Sequence, residues 1–312
     1  MRIVFIGTGE IGLPTLRSLR ESPAHGLAGV VTQPDKPVGR EQRIQPPPVK
    51  AELGATGIPI LQPARIRTED ALAQIRALAP EVIVVMAYGQ ILPRALLEIP
   101  PIACLNLHAS LLPRHRGASP IQAAIIADDS ETGITVIYMD EGLDTGDILL
   151  QKPLKILPDE TGGSLHERLA QLAPDALREA LDALAASRAP RMPQDSTRAT
   201  YAPKLTREDG RIDWREPAEL LARKVRAYDP WPGAFTEITD SSGKTRHLKI
   251  FQATASKNDL GTPGTISTPN DSSLLVATRG GSLRLEEVQL EGKRRMRAAD
   301  FLRGFSSPKI VF

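Results

Sequence analysis

Residues 81–117 read EVIVVMAYGQILPRALLEIPPIACLNLHASLLPRHRG. Two runs in this stretch, VIVVM at 82–86 and IACLNL at 102–107, are apolar at odd and even positions alike. A strand with one wet face alternates. A strand apolar on both faces must be covered on both sides, as in a parallel sheet with helices above and below. Towards the N-terminus such runs recur at 58–61 (IPIL), 27–31 (LAGVV) and 3–6 (IVFI). The stretches between them are long enough for crossover helices, so residues 1–110 predict a doubly wound, Rossmann-like α/β domain. Beyond it, Ser119-Pro120 opens a helix over 121–127, with serine as cap and proline in the first position. Ser164 with Glu167 makes a capping box for a helix running to about Ala186.

A chain of 312 residues suits two domains. With 41% hydrophobic and 24% charged residues it has enough apolar side chain to bury a core, which excludes a mainly disordered protein. No apolar run approaches the ~18 residues of a membrane span. One cysteine, Cys104, excludes a disulfide framework and a multi-cysteine zinc site. Set in an apolar run, it reads as a small hydrophobe. The histidines show no zinc-ligand spacing, so no metal is expected, and His25, His166 and His247 read as solvent or cap residues. The apolar run begins within two residues of Met1, which leaves no room for a signal peptide and predicts a cytoplasmic protein.

The net charge of +2 is a cancellation. Residues 1–187 hold 17 basic and 22 acidic side chains, a net of −5, and residues 188–312 carry +7. Three aromatics fall in the first part and nine in the second. Either surfaces merely drift in charge, or two domains differ in task and the basic one meets a polyanion. Residues 188–207, with Arg188, Pro190, Arg191, Pro193, Arg198, Pro203, Lys204 and Arg207, read as an extended linker. From 208 to 312, short alternating segments are punctuated by SSGK at 241–244, Pro263-Gly264 and Gly280-Gly281. That pattern predicts a small antiparallel barrel, in which Trp214 and Trp231 are either stacking platforms for bases or buried anchors, the flanking prolines and short strands favouring anchors. The expected division is therefore 1–187, 188–207 and 208–312.

Two motifs bear on chemistry. Gly7-Thr8-Gly9-Glu10-Ile11-Gly12 satisfies the dinucleotide fingerprint G-x-G-x-x-G between strand and helix. The acidic residue that should follow the second strand is replaced by Thr32-Gln33-Pro34, and Glu10 would repel a pyrophosphate. The alternative is a tight turn whose backbone angles call for glycine. The second motif is Asn106-Leu107-His108, whose ends share a face and sit at the carboxyl edge where open α/β sheets bind ligands. A histidine there can shuttle protons, and an asparagine can donate to a developing oxyanion. The acidic run Asp140-Glu141-Gly142-Leu143-Asp144-Thr145-Gly146-Asp147 offers a carboxylate to orient the imidazole. Asparagine, histidine and acid without a serine or cysteine nucleophile suit direct transfer of a small acyl group; a capping asparagine with a packed histidine is the other reading.

Asn106-x-His108, Ser110-Leu111-Leu112-Pro113 and Asp140…Asp144-Thr145-Gly146, in that order and spacing, resemble the 10-formyltetrahydrofolate-dependent formyltransferases. Within that family the likeness runs along nearly the whole chain to the members acting on methionyl-tRNA. It includes Thr32–Arg40, Pro48-Val49-Lys50, Ala87-Tyr88-Gly89, Arg211-Ile212-Asp213-Trp214, Asp229-Pro230-Trp231-Pro232 and Pro263-Gly264-Thr265-Ile266. The resemblance implies a formyltransferase domain, a linker and an OB-like barrel. It also implies a catalytic trio of Asn106, His108 and Asp144, with 10-formyltetrahydrofolate as co-substrate and initiator methionyl-tRNA as acceptor. The folate would lie along Met86, Ala87, Tyr88, Gly89 and Ile91, and Ser110, Leu111, Leu112 and Pro113, with Asp140 close by. The glycine loop is then a structural turn that binds no NAD. Monomer is the family expectation.

The same resemblance makes the polar loop at 35–50 a wedge into the tRNA acceptor end, with Arg40 as its key arginine beside Lys36, Arg43 and Lys50. Glu41-Gln42-Arg43 is less positive than such loops are expected to be. A second basic element runs from Arg188 and Lys204 to Lys293, Arg294 and Arg295, where scattered cations would neutralise phosphates without reading bases. The competing functions are formylation of an amino sugar or ribonucleotide amine, a dinucleotide-dependent oxidoreductase resting on Gly7–Gly12, and a non-catalytic RNA-binding module, against which the intact Asn106, His108 and Asp144 argue.

Overall fold

A computed structural model describes residues 1–39, 41–239, 243–258, 260–269, 273–305 and 309–311. In chain order it forms β1 (Arg2–Gly7), α1 (Leu13–Glu21), β2 (Gly26–Val31), β3 (Lys36–Val38), β4 (Arg43–Gln45), α2 (Pro48–Leu53), β5 (Ile60–Leu61) and α3 (Glu69–Ala77). There follow β6 (Val82–Met86), α4 (Arg94–Leu97), β7 (Ala103–His108), β8 (Arg116–Gly117), α5 (Pro120–Ile126), β9 (Glu131–Tyr138), β10 (Ile148–Lys155), α6 (Gly162–Ala185) and β11 (Tyr201–Ala202). The chain divides into two units, one of Met1–Pro120, Glu131–Lys155 and His166–Ala202, the other of Ile121–Ser130, Ile156–Leu165 and Pro203 onward.

The first unit is the expected doubly wound α/β fold. Its sheet runs β10-β9-β7-β6-β1-β2-β5. β5, β2, β1, β6 and β7 are parallel, and all five residues of β6 are buried. The sheet is mixed, because β9 lies antiparallel to β7 and β10 antiparallel to β9. β10 follows β9 through a loop alone, so no crossover helix announces it, whereas α5 does intervene between β7 and β9. The run expected at 58–61 pairs only at Ile60–Leu61, since Pro59 has no N–H for the ladder. β2 and β6 flank β1, which puts the topological switch point beside β1 and the ends of β6 and β7 on one sheet edge.

The glycines after β1 have ordinary backbone angles: φ is −80° at Gly9 and −82° at Gly12. What excludes a side chain is closeness. A Cβ on Gly7 would lie 2.8 Å from the Met86 carbonyl oxygen, and one on Gly12 3.0 Å from the Phe5 ring. Gly7 and Gly12 are therefore needed for packing and not for their dihedrals, whereas a Cβ on Gly9 would meet only the Ala87 Cβ at 3.8 Å. At α6 the capping pair is also displaced. Thr161 donates its N–H to Ser164 Oγ (3.0 Å) and Ser164 returns its own to Thr161 Oγ1 (3.1 Å), so the helix opens at Gly162 and not after Ser164. The segment from 188 is hydrogen-bonded into the first unit as far as Ala202: Met192 bridges Ile148, and β11 pairs with β8.

The second unit contains α7 (Ala218–Ala227), β12 (Ala234–Thr239), β13 (Thr245–Ser256), β14 (Ile266–Ser267), β15 (Leu274–Thr278), β16 (Gly281–Leu290), β17 (Met296–Arg297), α8 (Ala298–Gly304) and β18 (Lys309–Val311). Its antiparallel sheet, β14-β15-β16-β13-β12-β18 with β17 on β16, forms an OB-like barrel. Gly264 and Gly280 take positive φ (86° and 79°) at the expected turns, whereas Ser241 and Ser242 lie outside the described residues. Trp214 is buried in the core and donates Nε1–H to Thr236 Oγ1 at 3.1 Å. Trp231 is not a buried anchor. It is 51% exposed, because it sits in the turn ahead of β12 where no strand face directs it inward.

Candidate active site

Asn106 and His108 project from one face at the end of β7, half-buried and buried respectively. Asp144 comes to them from the loop at 139–147. That loop closes on itself: Asp140 Oδ1 accepts from the Gly142 N–H (3.0 Å) and from Thr145 Oγ1 (2.7 Å). Asp144 holds φ at +54°, a left-handed conformation that a residue with a side chain adopts at a cost. Its Oδ1 accepts from Asn106 Nδ2 (3.2 Å), its Oδ2 accepts from the Gly117 N–H (2.8 Å), and His108 Nδ1 lies 3.5 Å from Oδ2. His108 Nε2–H donates to the His115 carbonyl at 2.8 Å. That bond fixes the ring plane and turns Nδ1 towards the carboxylate. Asn106 is hydrogen-bonded to Asp144 and His108 faces the same carboxylate, so the three side chains meet at the carboxyl edge of the sheet.

The strip from Met86 to Ile91 divides between core and surface. The Met86 and Tyr88 side chains are buried, whereas Ala87 (φ +50°), Gly89 (φ +88°) and Ile91 are exposed. The Tyr88 ring packs among Val4, Ile6 and Leu92, where burial pushes its hydroxyl up to about 12. Its carbonyl accepts from Thr8 Oγ1 (3.1 Å) and Gln33 Nε2 (3.2 Å). Along 110–113, Ser110 Oγ donates to the Arg114 carbonyl (2.6 Å), and Leu111 and Pro113 are half-buried. Thr135 and Gln151, absent from the sequence reading, build this stretch. Thr135 Oγ1 donates to the Ser110 carbonyl (2.6 Å) and accepts from the Leu112 N–H (3.1 Å), and Gln151 Nε2 donates to the Leu112 carbonyl (2.9 Å). Thr135 carried a signal, a hydroxyl within the apolar run ITVI at 134–137. Gln194, also missed, contacts the Asp144 loop and lies in the segment read as linker, where nothing marks it.

Cys104 lies in β7 two residues before Asn106, and burial pushes its thiol up to about 12. A raised value keeps it protonated throughout the neutral range, so it supplies no thiolate. Native protein at pH 8 is expected to resist iodoacetamide and to take up one equivalent only when unfolded; alkylation of the folded chain within minutes would contradict this. Among the described residues, no cluster of three His, Cys, Asp or Glu side chains could hold a metal ion.

The basic residues are differently placed. Lys36 is exposed on the β3–β4 hairpin, and Arg43 pairs with Glu41 at 2.7 Å. Lys50 is turned to an internal network: Nζ donates to both Asp35 oxygens (2.9 and 2.8 Å) and to Gln62 Oε1 (2.8 Å). The hydrogen bond from Gln62, then that from Lys50, holds the Asp35 carboxyl below its usual range. Arg40 lies outside the described residues. Arg188, Lys204, Lys293 and Arg294 are exposed, while Arg295 pairs with Glu287 and stacks its guanidinium 4.4 Å from the Phe251 ring centre.

An open α/β sheet with Asn-x-His and an aspartate at its carboxyl edge, followed by an OB-like barrel, defines a two-part formyltransferase. The formyl transferase family matches residues 1–181, and its C-terminal domain matches residues 204–306. The methionyl-tRNA formyltransferase of Akkermansia muciniphila is 47% identical over 100% of this chain and 99% of its own. That of Geobacter sulfurreducens is 48% identical over 98% and 94%. The chain belongs to the methionyl-tRNA formyltransferase family. Among solved structures, the methionyl-tRNA formyltransferase from Clostridium thermocellum shares the fold with a TM-score of 0.55 at 20% identity, covering 81% of this chain and 93% of that one. HypX from Aquifex aeolicus, solved in complex with tetrahydrofolic acid, does so at 0.60 and 18%, covering 97% and 47%.

Proposed function

We propose that this enzyme moves the formyl group of 10-formyltetrahydrofolate to the α-amino group of methionyl-initiator tRNA. The observation that carries the reading is the convergence of Asn106 and His108 on the Asp144 carboxylate. Full-length likeness to methionyl-tRNA formyltransferases supports the acceptor, and the tetrahydrofolate complex of a fold neighbour supports the donor. The amine nitrogen attacks the formyl carbon, and the carbonyl electrons move to oxygen. Collapse of that intermediate breaks the bond to N10 and passes the amine's proton to N10. One Asn106 N–H is engaged by Asp144, and the second is available to the oxyanion, which a protonated His108 favours through its charge alone, since its Nε2–H is given to the His115 carbonyl and its Nδ1 faces Asp144. Asp144 orients His108 and holds the water that relays the proton. Folate lies against the exposed backbone of Ala87, Gly89 and Ile91 and against residues 110–113, with Asp140 shaping the loop opposite.

Residues 1–187 perform the chemistry, 188–207 link the two parts while pairing with the first as far as Ala202, and 208–312 hold tRNA, in a monomeric cytoplasmic enzyme. Lys36, Arg40 and Arg43 meet the acceptor end, and Arg188, Lys204, Lys293, Arg294 and Arg295 meet phosphates. Lys50, already paired, anchors the base of the hairpin. The test is a single-turnover reaction of 10-formyltetrahydrofolate with charged initiator tRNA. Formyl-methionyl-tRNA is expected, with tRNA affinity falling steeply as salt rises. Formylation of an amino sugar with none of methionyl-tRNA would overturn the acceptor assignment. A flat salt dependence would remove the basic residues from it.

A further inference from the structure

The Asp144 carboxylate must stand in one place relative to His108, yet its loop holds a left-handed backbone at that residue. Gln194 bears on that problem. Half-buried in the extended segment between α6 and β11, it donates from Nε2 to the carbonyls of Asp144 and Gly146, both at 2.8 Å. Its Oε1 accepts from Arg116 Nε (3.1 Å) and Nη2 (2.7 Å). Carbonyls only accept and guanidinium only donates, so a single orientation of the carboxamide satisfies all four hydrogen bonds. The next residue after Arg116 is Gly117, whose N–H holds Asp144 Oδ2. Gln194 therefore joins the backbone that carries Asp144 to the backbone that grips its carboxylate.

Its own position is secured on both sides. Met192 exchanges backbone hydrogen bonds with Ile148 (2.8 and 3.0 Å), and the Thr200 carbonyl accepts from the Arg116 N–H (2.9 Å). The segment is thus laced to both sides of the trio, and between those anchor points the Gln194 side chain reaches the Asp144 loop.

We propose that Gln194 is a positioning residue for formyl transfer: its carboxamide fixes residues 144–146 against Arg116-Gly117 and so sets the Asp144 carboxylate relative to His108. The inference rests on reading Asn106, His108 and Asp144 as the reacting site. Two variants separate its parts. Gln194→Met keeps length and bulk but makes none of the four hydrogen bonds. Gln194→Glu keeps an acceptor for Arg116 and turns an oxygen on the two carbonyls.

Misplacing a reacting group by an ångström costs up to ~10² in rate, so both variants should lose at least about tenfold in kcat with KM for the formyl donor within about threefold. Amide hydrogen exchange over residues 142–147 should quicken in both while β1, β6 and β7 exchange as in the wild type. A kcat within about twofold of wild type in both variants would overturn the proposal. So would a loss of kcat accompanied by faster exchange across β6 and β7, which marks a merely structural role. Should the wild type form no formyl-methionyl-tRNA, the functional reading fails. The exchange comparison then still decides whether Gln194 holds the loop, and unchanged exchange over 142–147 would refute it.

Discussion

His108→Ala is expected to slow single-turnover formyl transfer by roughly 10²–10⁴-fold while tRNA affinity stays within about twofold. The ring is buried, with Nε2 on the His115 carbonyl and Nδ1 facing Asp144, so its removal takes a proton carrier and an orienting contact from the centre of the site. The backbone pairing of β7 with β6 and β9 does not depend on the side chain, and the strand should keep its register. Asp144→Asn makes the companion measurement, since it keeps the shape and removes the charge that faces the imidazole. Rapid-quench turnover and filter binding on the same preparations separate the two effects. Loss of tRNA binding in step with turnover would show that His108 is a packing residue.

Gly146→Ala should be the most damaging of the glycine substitutions near the site. A Cβ there would stand 1.7 Å from the Tyr138 carbonyl oxygen, a backbone atom at the end of β9. Neither side can yield without moving the loop that carries Asp144, and a displacement of that size is worth up to ~10² in turnover. Gly142→Ala offers the contrast. Its Cβ would meet Thr145 Oγ1 at 1.9 Å, and that side chain can rotate away with the loss of its hydrogen bonds to Asp140. Turnover in Gly142→Ala is therefore expected to fall by less than about tenfold. Turnover in Gly146→Ala within about twofold of wild type would show that the loop tolerates displacement and that Asp144 is not held as tightly as its contacts imply.

The parallel core was legible because apolar residues at consecutive positions have no wet face to present, whatever their partners. β9 and β10 are strand-like in sequence but escape the strand–helix alternation: α5 before β9 looks like one more parallel crossover, and β10 follows β9 through a loop alone. The glycines at 7–12 suggested a turn, and the reason two of them, Gly7 and Gly12, are glycines is the Met86 carbonyl and the Phe5 ring, neighbours the local sequence does not name. Trp231 was misjudged for a related reason: flanking prolines indicate a turn and say nothing about which way its ring faces. Lys50 resembled a free cation until Asp35 and Gln62 closed on it.

By itself the sequence determined that Asn106 and His108 share a face at a sheet edge, since the two-residue period of a strand acts between near neighbours. It also determined that charge divides between a mildly acidic first part and a basic second part. Only the tertiary structure decided which carboxylate reaches the pair and what holds it there. Asp144 lies 38 residues from Asn106, and Gln194 a further 50 from Asp144. Periodicity and propensity act within a turn or a strand. A hydrogen bond between two loops forms only once the strands that carry them have been brought side by side.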